Sequence, residues 1–326
     1  MLQNSTKNRV VGVNIGVVTT TYAIVDVRGN IIAQEEFPTD EHPSINEFVA
    51  FLSERLVMMM EANGGYESIR SVGVGVPSGN FIKGTVEYSS SLPWKGEIPL
   101  ASMLRDRLGM AVAVGNNAHV RALGEHAFGS AHGMSDFMVI TLGPGIGSCL
   151  FSNGKPLLGT EGFAGQIGHV CVKPDGRECG CGNKGCLEAY CSEKGIVKTA
   201  RKLLAESDKP SLMRDCVQLT PKMITECCER GDELAIATYR FTGELLGVIM
   251  ANYASVFNPQ AIIFTGGISK AGQWLFDTVR VKFEENVFHN LRGKVMFLMS
   301  ALTDIERSVL GASALAWEVQ EYSLFK

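Results

Sequence analysis

The sequence predicts an α/β protein of two lobes, each built on the same unit of three consecutive strands. Two stretches, 10–37 and 137–158, share this layout. In each, a strand runs into a glycine turn, a second strand follows, and a tight turn leads to a third strand. The tight turns are Arg28-Gly29-Asn30 and Ser152-Asn153-Gly154, whose Gly and Asn residues are typical of hairpins. A chain of 326 residues with 45% apolar residues is long enough for two domains of ordinary size.

Helices and strands alternate between the two repeats. The apolar pattern predicts a helix over 45–62, a buried strand over 71–76, a helix over 100–108 and a strand over 111–114. Together with the preceding strands, this order is the one expected of an α/β lobe.

The second half of the chain shows the same alternation. Ser192 suits the N-cap of a helix that runs to about residue 205. A longer helix is predicted over 232–257, where Asn258-Pro259 ends it. An apolar strand over 261–265 then runs into Gly266-Gly267. A last helix, over about 308–319, carries small residues that allow close packing.

Composition argues against two classes of partner. The net charge is −4 and no Lys/Arg cluster tracks a phosphodiester backbone, so we expect no nucleic acid. No apolar run reaches roughly 18 residues, so we expect no membrane span.

The first residues lack an apolar signal core. Nine cysteines without such a signal favour a reducing cytoplasm, in which a metal rather than disulfides explains clustered thiols.

One imidazole and three thiols are concentrated within residues 169–186, a set that matches the Cys₃His ligands of a closed, tetrahedral structural zinc site. The four residues are His169, Cys179, Cys181 and Cys186. Glycines between the cysteines let the chain turn tightly around an ion. The alternative is that the four are unrelated, since a free cysteine is often a small buried hydrophobic residue. Cys171 and Cys191 lie close in sequence and could replace one of the ligands.

The same segment resembles the signature of the ROK family, whose members are bacterial sugar kinases and sugar-responsive repressors. The matching residues are Gly168-His169, then Cys179-x-Cys181, then Cys186-Leu187-Glu188. The resemblance extends from Val11 to the helix around Gly311 and is strongest to the glucokinase-like branch. It implies a two-lobed actin/hexokinase-type (ribonuclease H-like) fold with a duplicated β-β-β-α-β-α unit and a nucleotide between the lobes.

The resemblance also implies a domain organisation. We expect an N-terminal α/β lobe over 1–118 and a C-terminal α/β lobe over 119–304 that contains the zinc loop. A helix over about 305–326 is expected to return to the first lobe. A homodimer is usual for the family.

Two glycine segments are candidates for nucleotide binding. Gly143, Gly145 and Gly147 lie between two strands, where backbone N–H groups can approach a phosphate. Without the family context, a plain tight hairpin is the favoured explanation of this loop. Pro144 stands where the family usually has Thr, and it removes one amide donor. Gly266-Gly267 fits the family's adenosine-binding segment, although a simple strand–helix turn is the alternative.

The resemblance implies that the sugar is bound by a set of polar residues from both lobes. These are Asn116, Asn117, Gln166, His169 and Glu188. A bound metal would hold the last two rigidly, as ordered metal shells hold their ligands. The alternative for Glu188 is a surface carboxylate at the start of a helix.

Several family carboxylates are neutral amides in this chain. The family's Asp-[Leu/Ile]-Gly-Gly-Thr motif reads Asn14-Ile15-Gly16-Val17-Val18, which changes the expected magnesium and phosphate contacts of Asn14 and Gly16. The family's catalytic Asp is Asn117, which can hydrogen-bond a sugar hydroxyl but cannot take its proton. Its sugar-site Glu is Gln166, and an Asn of its Asn-Leu-Pro-Trp segment is Ser91. A missing general base costs roughly 10²–10⁴-fold in rate.

We therefore expect a glucokinase-like protein that binds a hexose and ATP with Mg²⁺ in an interlobe cleft, with phosphoryl transfer weak or lost. If active, it would transfer the γ-phosphate of ATP to a hexose hydroxyl. A second hypothesis is a sugar-responsive regulatory protein that acts by protein contact, since residue 14 lies too near the start to leave room for a preceding helix-turn-helix. A third is an active kinase with His119 as the replacement base, and a fourth is an inert remnant that binds no ligand.

Overall fold

The computed structural model describes residues 7–89 and 91–319, so the start of the expected first lobe at 1–6 and the end of the expected returning helix at 320–326 lie outside the described residues. The chain forms two compact units, which we describe separately. Unit 1 comprises the described parts of Met1–Gly133, Leu158–Ala164 and Ser300–Lys326. Unit 2 comprises Met134–Leu157 and Gly165–Met299.

Each unit contains both strands and helices. The strands of the described residues are β1 (Arg9–Ile15), β2 (Thr19–Asp26), β3 (Ile31–Pro38), β4 (Ile69–Val76), β5 (Gly79–Asn80), β6 (Thr85–Glu87), β7 (Glu97–Ile98), β8 (Ala111–Asn116), β9 (Phe137–Leu142), β10 (Ile146–Ser152), β11 (Lys155–Pro156), β12 (Ala261–Thr265) and β13 (Met296–Met299). The α-helices are α1 (Ile45–Ala62), α2 (Leu100–Leu108), α3 (Asn117–Phe128), α4 (Glu188–Cys191), α5 (Glu193–Ala205), α6 (Pro221–Glu229), α7 (Glu233–Phe257), α8 (Gln273–Asn286) and α9 (Asp304–Glu318).

The two main sheets have the same topology. The strand order is β3-β2-β1-β4-β8 in unit 1 and β11-β10-β9-β12-β13 in unit 2. In both sheets the three consecutive strands pair antiparallel, and the two later strands join them in parallel. The duplicated unit predicted from the sequence is confirmed. A small sheet of β5, β6 and β7 in unit 1 was not predicted, because strands of two or three residues leave no periodic signal.

Most predicted elements have the expected bounds, whereas the helices α3 and α6 and the strand β13 were not predicted. The helix α3 belongs to unit 1, which runs to Gly133, because α3 packs on α9. The helix α9 begins at Asp304 rather than near residue 308. A capping box sets this start, since Thr303 and Glu306 hydrogen-bond each other's backbone N–H groups.

The helix α9 packs directly on the sheet of unit 1. A Cβ atom at Gly12 of β1 would lie 2.2 Å from the carbonyl oxygen of Val309. At Gly73 of β4 it would lie 1.9 Å from the carbonyl oxygen of Ala312. Glycine at both positions therefore lets the helix backbone touch the strands.

The core of unit 2 contains the long helix α7. Among the described residues it is the one helix whose length and apolar composition would suffice to cross a membrane. However, 61% of its most apolar 18-residue window is buried inside the protein, where it packs against α8 and α5. Its apolar character is accounted for by this core position.

Candidate functional site

Unit 2 brings the predicted metal ligands together. The ligand atoms of His169, Cys179, Cys181 and Cys186 all lie within 4.8 Å of one another. Cys179 Sγ is 3.7 Å from His169 Nδ1, and Cys181 Sγ is 3.7 Å from Cys186 Sγ. Zinc–sulfur bonds of about 2.3 Å in a tetrahedron place the sulfurs about 3.8 Å apart. These two pairs thus have the spacing that a tetrahedral zinc ion requires, and the four ligand atoms are close enough together to share one ion.

The two neighbouring cysteines lie outside this group. Cys191 is buried, and its Sγ donates to the carbonyl of Thr242 at 3.7 Å. Cys171 is exposed, and its sulfur is not among the four clustered atoms.

Residues 169–186, which carry the four candidate ligands and which we call the metal loop, are fixed to the start of α4 and α5. Gly185 has φ +75°, and a Cβ there would lie 2.0 Å from the carbonyl oxygen of Lys173, so the turn requires glycine. The guanidinium of Arg177 donates to the carbonyls of Ala189 (3.2 Å) and Gly195 (2.9 Å). It also lies 4.5 Å from the centre of the Tyr190 ring. These contacts hold the loop in place.

The local environment disfavours a free thiolate at two of the three cysteines. Burial, with the two neighbouring thiols, raises the pKa of Cys186 to about 12, and burial also raises the pKa of Cys179. The pKa of Cys181 is lowered, chiefly by a backbone hydrogen bond from Asn183. Binding of a metal at these sulfurs would therefore release protons.

The glycine loop 143–147 is occupied in part by a carboxylate of the protein. Glu188 Oε2 accepts the backbone N–H of Ile146 at 2.8 Å. A Cβ at Gly145 would lie 2.7 Å from the same oxygen, so a larger residue at this position would displace the carboxylate. The amide of Gly143 is used within the loop, where it donates to the carbonyl of Gly145 at 3.1 Å. The loop thus binds a negative group through an amide, as an anion-binding concavity does.

The second glycine segment leaves the same edge of the sheet. The strands β9 and β12 are parallel neighbours, and the Thr265 hydroxyl donates to the Thr141 hydroxyl at 2.9 Å near their carboxyl ends. Gly266 follows with φ +90°, and a Cβ there would lie 2.3 Å from the carbonyl oxygen of Leu142. Gly267 faces open space. Ligands of α/β sheets bind beyond the carboxyl ends of the strands, where these two segments meet.

Three predicted sugar-site residues of unit 2 have different surroundings. Gln166 is exposed in the turn before the metal loop. That turn is anchored by Ser148, whose hydroxyl accepts the N–H of Ile167 at 3.1 Å. His169 is half-buried with Nδ1 toward Cys179, and Glu188 Oε1 lies 3.9 Å from the same sulfur. His169 and Glu188 therefore both lie beside Cys179, whereas Gln166 lies in a turn whose conformation is fixed by Ser148.

In unit 1 the turn between β1 and β2 carries the altered motif. Asn14 is half-buried near the end of β1. Gly16 donates its N–H to the Thr19 carbonyl at 3.0 Å, and a Cβ there would lie 2.6 Å from that oxygen. Val17 and Val18 are 46% and 64% exposed. Two apolar side chains thus face solvent where the family has a glycine and a threonine.

Asn116 and Asn117 lie at the start of α3. Asn116 caps the helix, because its side-chain oxygen accepts the N–H of Ala118 at 2.9 Å. Asn117 Nδ2 donates to the carbonyl of Ile15 at 3.4 Å. Its Oδ1 is buried and has no hydrogen-bond partner among the described residues. The start of α3 therefore contains a buried acceptor without a partner among the described residues, at the residue that the sequence predicts to replace the family's catalytic aspartate.

His119 is packed inside unit 1. It is 4% exposed, and its Nε2 lies 3.3 Å from the carbonyl oxygen of Ala164. A carbonyl can only accept, so Nε2 carries the hydrogen. Burial lowers the pKa of His119, which keeps the ring neutral. These contacts give the residue a packing role and leave only Nδ1 as a basic atom.

Sequence reasoning missed Asn80. This buried side chain donates to Glu87 Oε1 at 3.0 Å and to the carbonyl of Glu161 at 2.9 Å, and its oxygen accepts the N–H of Ile82 at 3.0 Å. It thereby fixes the segment 158–164 within unit 1. The Gly79-Asn80 pair after a buried strand was the available signal.

Comparison with known proteins identifies the family of the chain. The ROK family model matches residues 10–319. A glucokinase of Halalkalibacterium halodurans is 30% identical over 97% of this chain and 97% of its own length. The N-acetylglucosamine repressor of Escherichia coli is 28% identical over 94% of this chain and 74% of its own length. The structure of a ROK family glucokinase from Streptomyces griseus, solved with glucose and AMPPNP, is 29% identical, covers 95% of this chain and 100% of that one, and has a TM-score of 0.74.

Glucokinases and an N-acetylglucosamine repressor are thus among the proteins to which this chain is similar. The chain belongs to the ROK family. The predicted actin/hexokinase-type fold is confirmed by its likeness to the Streptomyces griseus glucokinase structure.

Proposed function

We propose that this protein binds a hexose and ATP with Mg²⁺, and that its phosphoryl transfer is weak or lost. This proposal rests chiefly on the identity and environment of Asn117. It stands where the family has its catalytic aspartate, and its buried Oδ1 has no partner among the described residues. An amide oxygen can accept a hydrogen bond from a sugar hydroxyl, but it cannot take the proton. The residue therefore supports sugar binding without base catalysis.

The predicted nucleotide contacts also differ from those of an active kinase, and the difference is greater in unit 1 than in unit 2. In unit 2, the N–H of Ile146 in the loop 143–147 is bound to the Glu188 carboxylate, which a phosphate would have to displace. Gly266-Gly267 lies at the same sheet edge and is the candidate contact for adenosine. In unit 1, Asn14 lacks the charge that would help to organise magnesium, and the exposed Val17 and Val18 provide no hydroxyl for a phosphate. We expect ATP to bind more weakly than in an active kinase.

The metal loop is assigned a structural zinc. His169, Cys179, Cys181 and Cys186 would hold the ion, which supplies no reactive position in a closed four-ligand site. Its effect on the sugar site is to fix His169 and Glu188, the two predicted sugar contacts beside Cys179. We expect the protein to act in the cytoplasm as a homodimer.

A second candidate function is sugar-responsive regulation without kinase activity. One observation favours it: the metal ligands remain, whereas the family's carboxylates at positions 14, 117 and 166 are all amides. The likeness to the Escherichia coli repressor covers 94% of this chain. Such a protein would signal through a sugar-dependent change in its contacts with another protein.

Calorimetric titration with a panel of hexoses and with ATP–Mg²⁺, run beside a coupled kinase assay, tests these proposals. Saturable hexose and ATP binding with little or no turnover supports the first. Hexose binding with no ATP binding supports the regulatory candidate. Absence of any saturation contradicts both, and rapid turnover contradicts the assignment of Asn117.

A further inference from the structure

A cavity of about 590 Å³ lies beside α5 in unit 2. One wall is the exposed face of α5, and the other is the segment 218–221 that leads into α6. Its volume is within the range of small-molecule sites. It contains none of the residues assigned above to the sugar, the nucleotide or the metal.

Three cations line the α5 wall. Lys194, Lys198 and Arg201 are spaced so that they share one face of the helix. In the part of the chain that the structure describes, none of the three forms an ion pair. By contrast, Lys202 lies outside the cavity and pairs with Glu206 at 3.7 Å. The cavity thus concentrates positive charge that the protein itself does not neutralise.

The opposite wall adds neutral donors and an apolar surface. The Thr220 hydroxyl oxygen accepts the N–H of Met223 at 3.2 Å as the N-cap of α6, so its hydrogen is free to donate into the cavity. Gln218 is exposed and offers its amide. Val197 and Leu219 provide apolar contact. The lining is suited to a compact molecule that carries an anionic group with several oxygens.

The cavity adjoins the glycine loop. The first helical residue, Glu193, also lines the cavity and donates its backbone N–H to the carbonyl of Gly143 at 3.0 Å. Its carboxylate is the acidic group of the lining, at the end nearest the loop. The three cations extend away from it along α5, so the anionic end of a ligand would lie toward Arg201.

We propose that this cavity is a second site, which binds a phosphorylated small molecule through Lys194, Lys198 and Arg201. Three separate cations and a hydroxyl donor can engage several oxygens of one phosphate group, which charge-assisted hydrogen bonds make favourable. A carboxylate has only two oxygens and uses fewer of these donors. The site shares no residue with the proposed hexose and ATP contacts, so it does not rest on them.

Two sources of the phosphate are distinguished by the probes. Glucose 6-phosphate represents a sugar phosphate, and inorganic tripolyphosphate represents the phosphate chain of a nucleotide or polyphosphate. Each is titrated calorimetrically into the unaltered protein, into the double variant Lys198→Gln/Arg201→Gln and into the matched control Lys202→Gln. Melting temperatures of all three confirm that these surface changes leave the fold intact.

We expect saturable binding of at least one probe to the unaltered protein. The double variant should raise its Kd about tenfold or more, because two charge-assisted contacts are lost. Lys202→Gln should leave the Kd within about twofold, since that charge is outside the cavity and already paired. The tighter probe identifies the ligand class. No saturable binding of either probe, or equal weakening by Lys202→Gln, would overturn the proposal.

Discussion

Glu188 accepts the backbone N–H of Ile146 at 2.8 Å, so a carboxylate from the end of the metal loop is bound by the glycine loop 143–147. The same side chain lies 3.9 Å from Cys179 Sγ. One residue therefore joins the predicted metal, sugar and phosphate segments of unit 2. A substitution in the glycine loop should therefore alter hexose affinity through this contact.

Gly145→Ala tests that connection. The added Cβ would lie 2.7 Å from Glu188 Oε2, and the flexible carboxylate must move away from Ile146. We expect hexose affinity to fall about tenfold, as for loss of a hydrogen bond to a charged group, with little change in melting temperature. Gly143→Ala is the matched control, because a Cβ there meets no atom within 4 Å. Calorimetry that shows equal effects of both changes would contradict the role of Glu188.

Removal of one metal ligand should cost both zinc and stability. Cys181→Ser leaves three ligands, so we expect the variant to lose most of the one zinc ion per chain and to melt at a lower temperature. Cys171→Ser changes an exposed thiol of the same loop that lies outside the ligand group, and it should retain the ion. Elemental analysis and thermal unfolding are the measurements. Unchanged zinc content in Cys181→Ser would refute the assignment.

Asn117→Asp should restore a general base. We expect the rate of hexose phosphorylation to rise by up to roughly 10²–10⁴-fold in a coupled assay. The gain should be smaller if Asn14, Val17 and Val18 limit magnesium and phosphate placement, and a combined reversion should then exceed the single change. Stability should fall somewhat, because a carboxylate oxygen would face the Ile15 carbonyl in place of an N–H donor.

The competing hypothesis for catalysis makes a different forecast. If His119 were the base, the unaltered protein would turn over measurably and His119→Ala would abolish the activity with a histidine-like pH profile. We expect instead that His119→Ala lowers stability, because the ring is buried in unit 1. Robust wild-type activity that survives His119→Ala would contradict both accounts.

Acid should weaken unit 2 through Asp232, the N-cap of α7. Burial acts to raise the pKa of Asp232, but hydrogen bonds from Ser211, Ala235, Leu212 and Leu234 outweigh it and hold the pKa below the ordinary value of 3.8. The carboxylate thus contributes stability that is present above pH 3.8 and lost as the pH falls through the lowered pKa.

Two variants of Asp232 separate the cap from the charge. Asp232→Ala should lower the free energy of unfolding at pH 7 by about 2 kcal/mol, because the cap and its buried partners are lost. Asp232→Asn keeps a capping oxygen, so its loss at pH 7 should be smaller and its stability less sensitive to acid. Urea unfolding at neutral and acid pH measures both. An acid sensitivity of Asp232→Asn equal to that of the unaltered protein would count against this mechanism.

Gly73→Ala should destabilise unit 1 strongly. Its Cβ would lie 1.9 Å from the carbonyl oxygen of Ala312, and neither backbone can yield without separating β4 from α9. We expect a loss of about 3 kcal/mol in urea unfolding, at the upper end of overpacking costs. Gly267→Ala faces open space and serves as the control. If Gly73→Ala lost less free energy of unfolding than Gly267→Ala, the backbones of α9 and β4 would not be in contact.

The sequence by itself determined the repeated strands and the long helix α7, and it singled out four candidate metal ligands. Each of these depends on local information: hairpin turns after alternating strands, a periodic apolar run, and four metal-binding side chains within one short segment. The start of helix α3 has an ambiguous local signal, because Asn116 and Asn117 match both an N-cap and the family's sugar-site motif. The first turn of α9 is mostly polar, so the apolar pattern begins only after the capping box of Thr303 and Glu306.

Only the tertiary structure decided what the site residues contact. The bond from Ile146 to Glu188, the orphaned oxygen of Asn117 and the packing of His119 against Ala164 join residues far apart in sequence. Such contacts depend on how strands, turns and helices meet in three dimensions, and no local pattern of residues encodes the distance between them. The sequence could name the donors and acceptors, whereas the fold determined which of them are already paired.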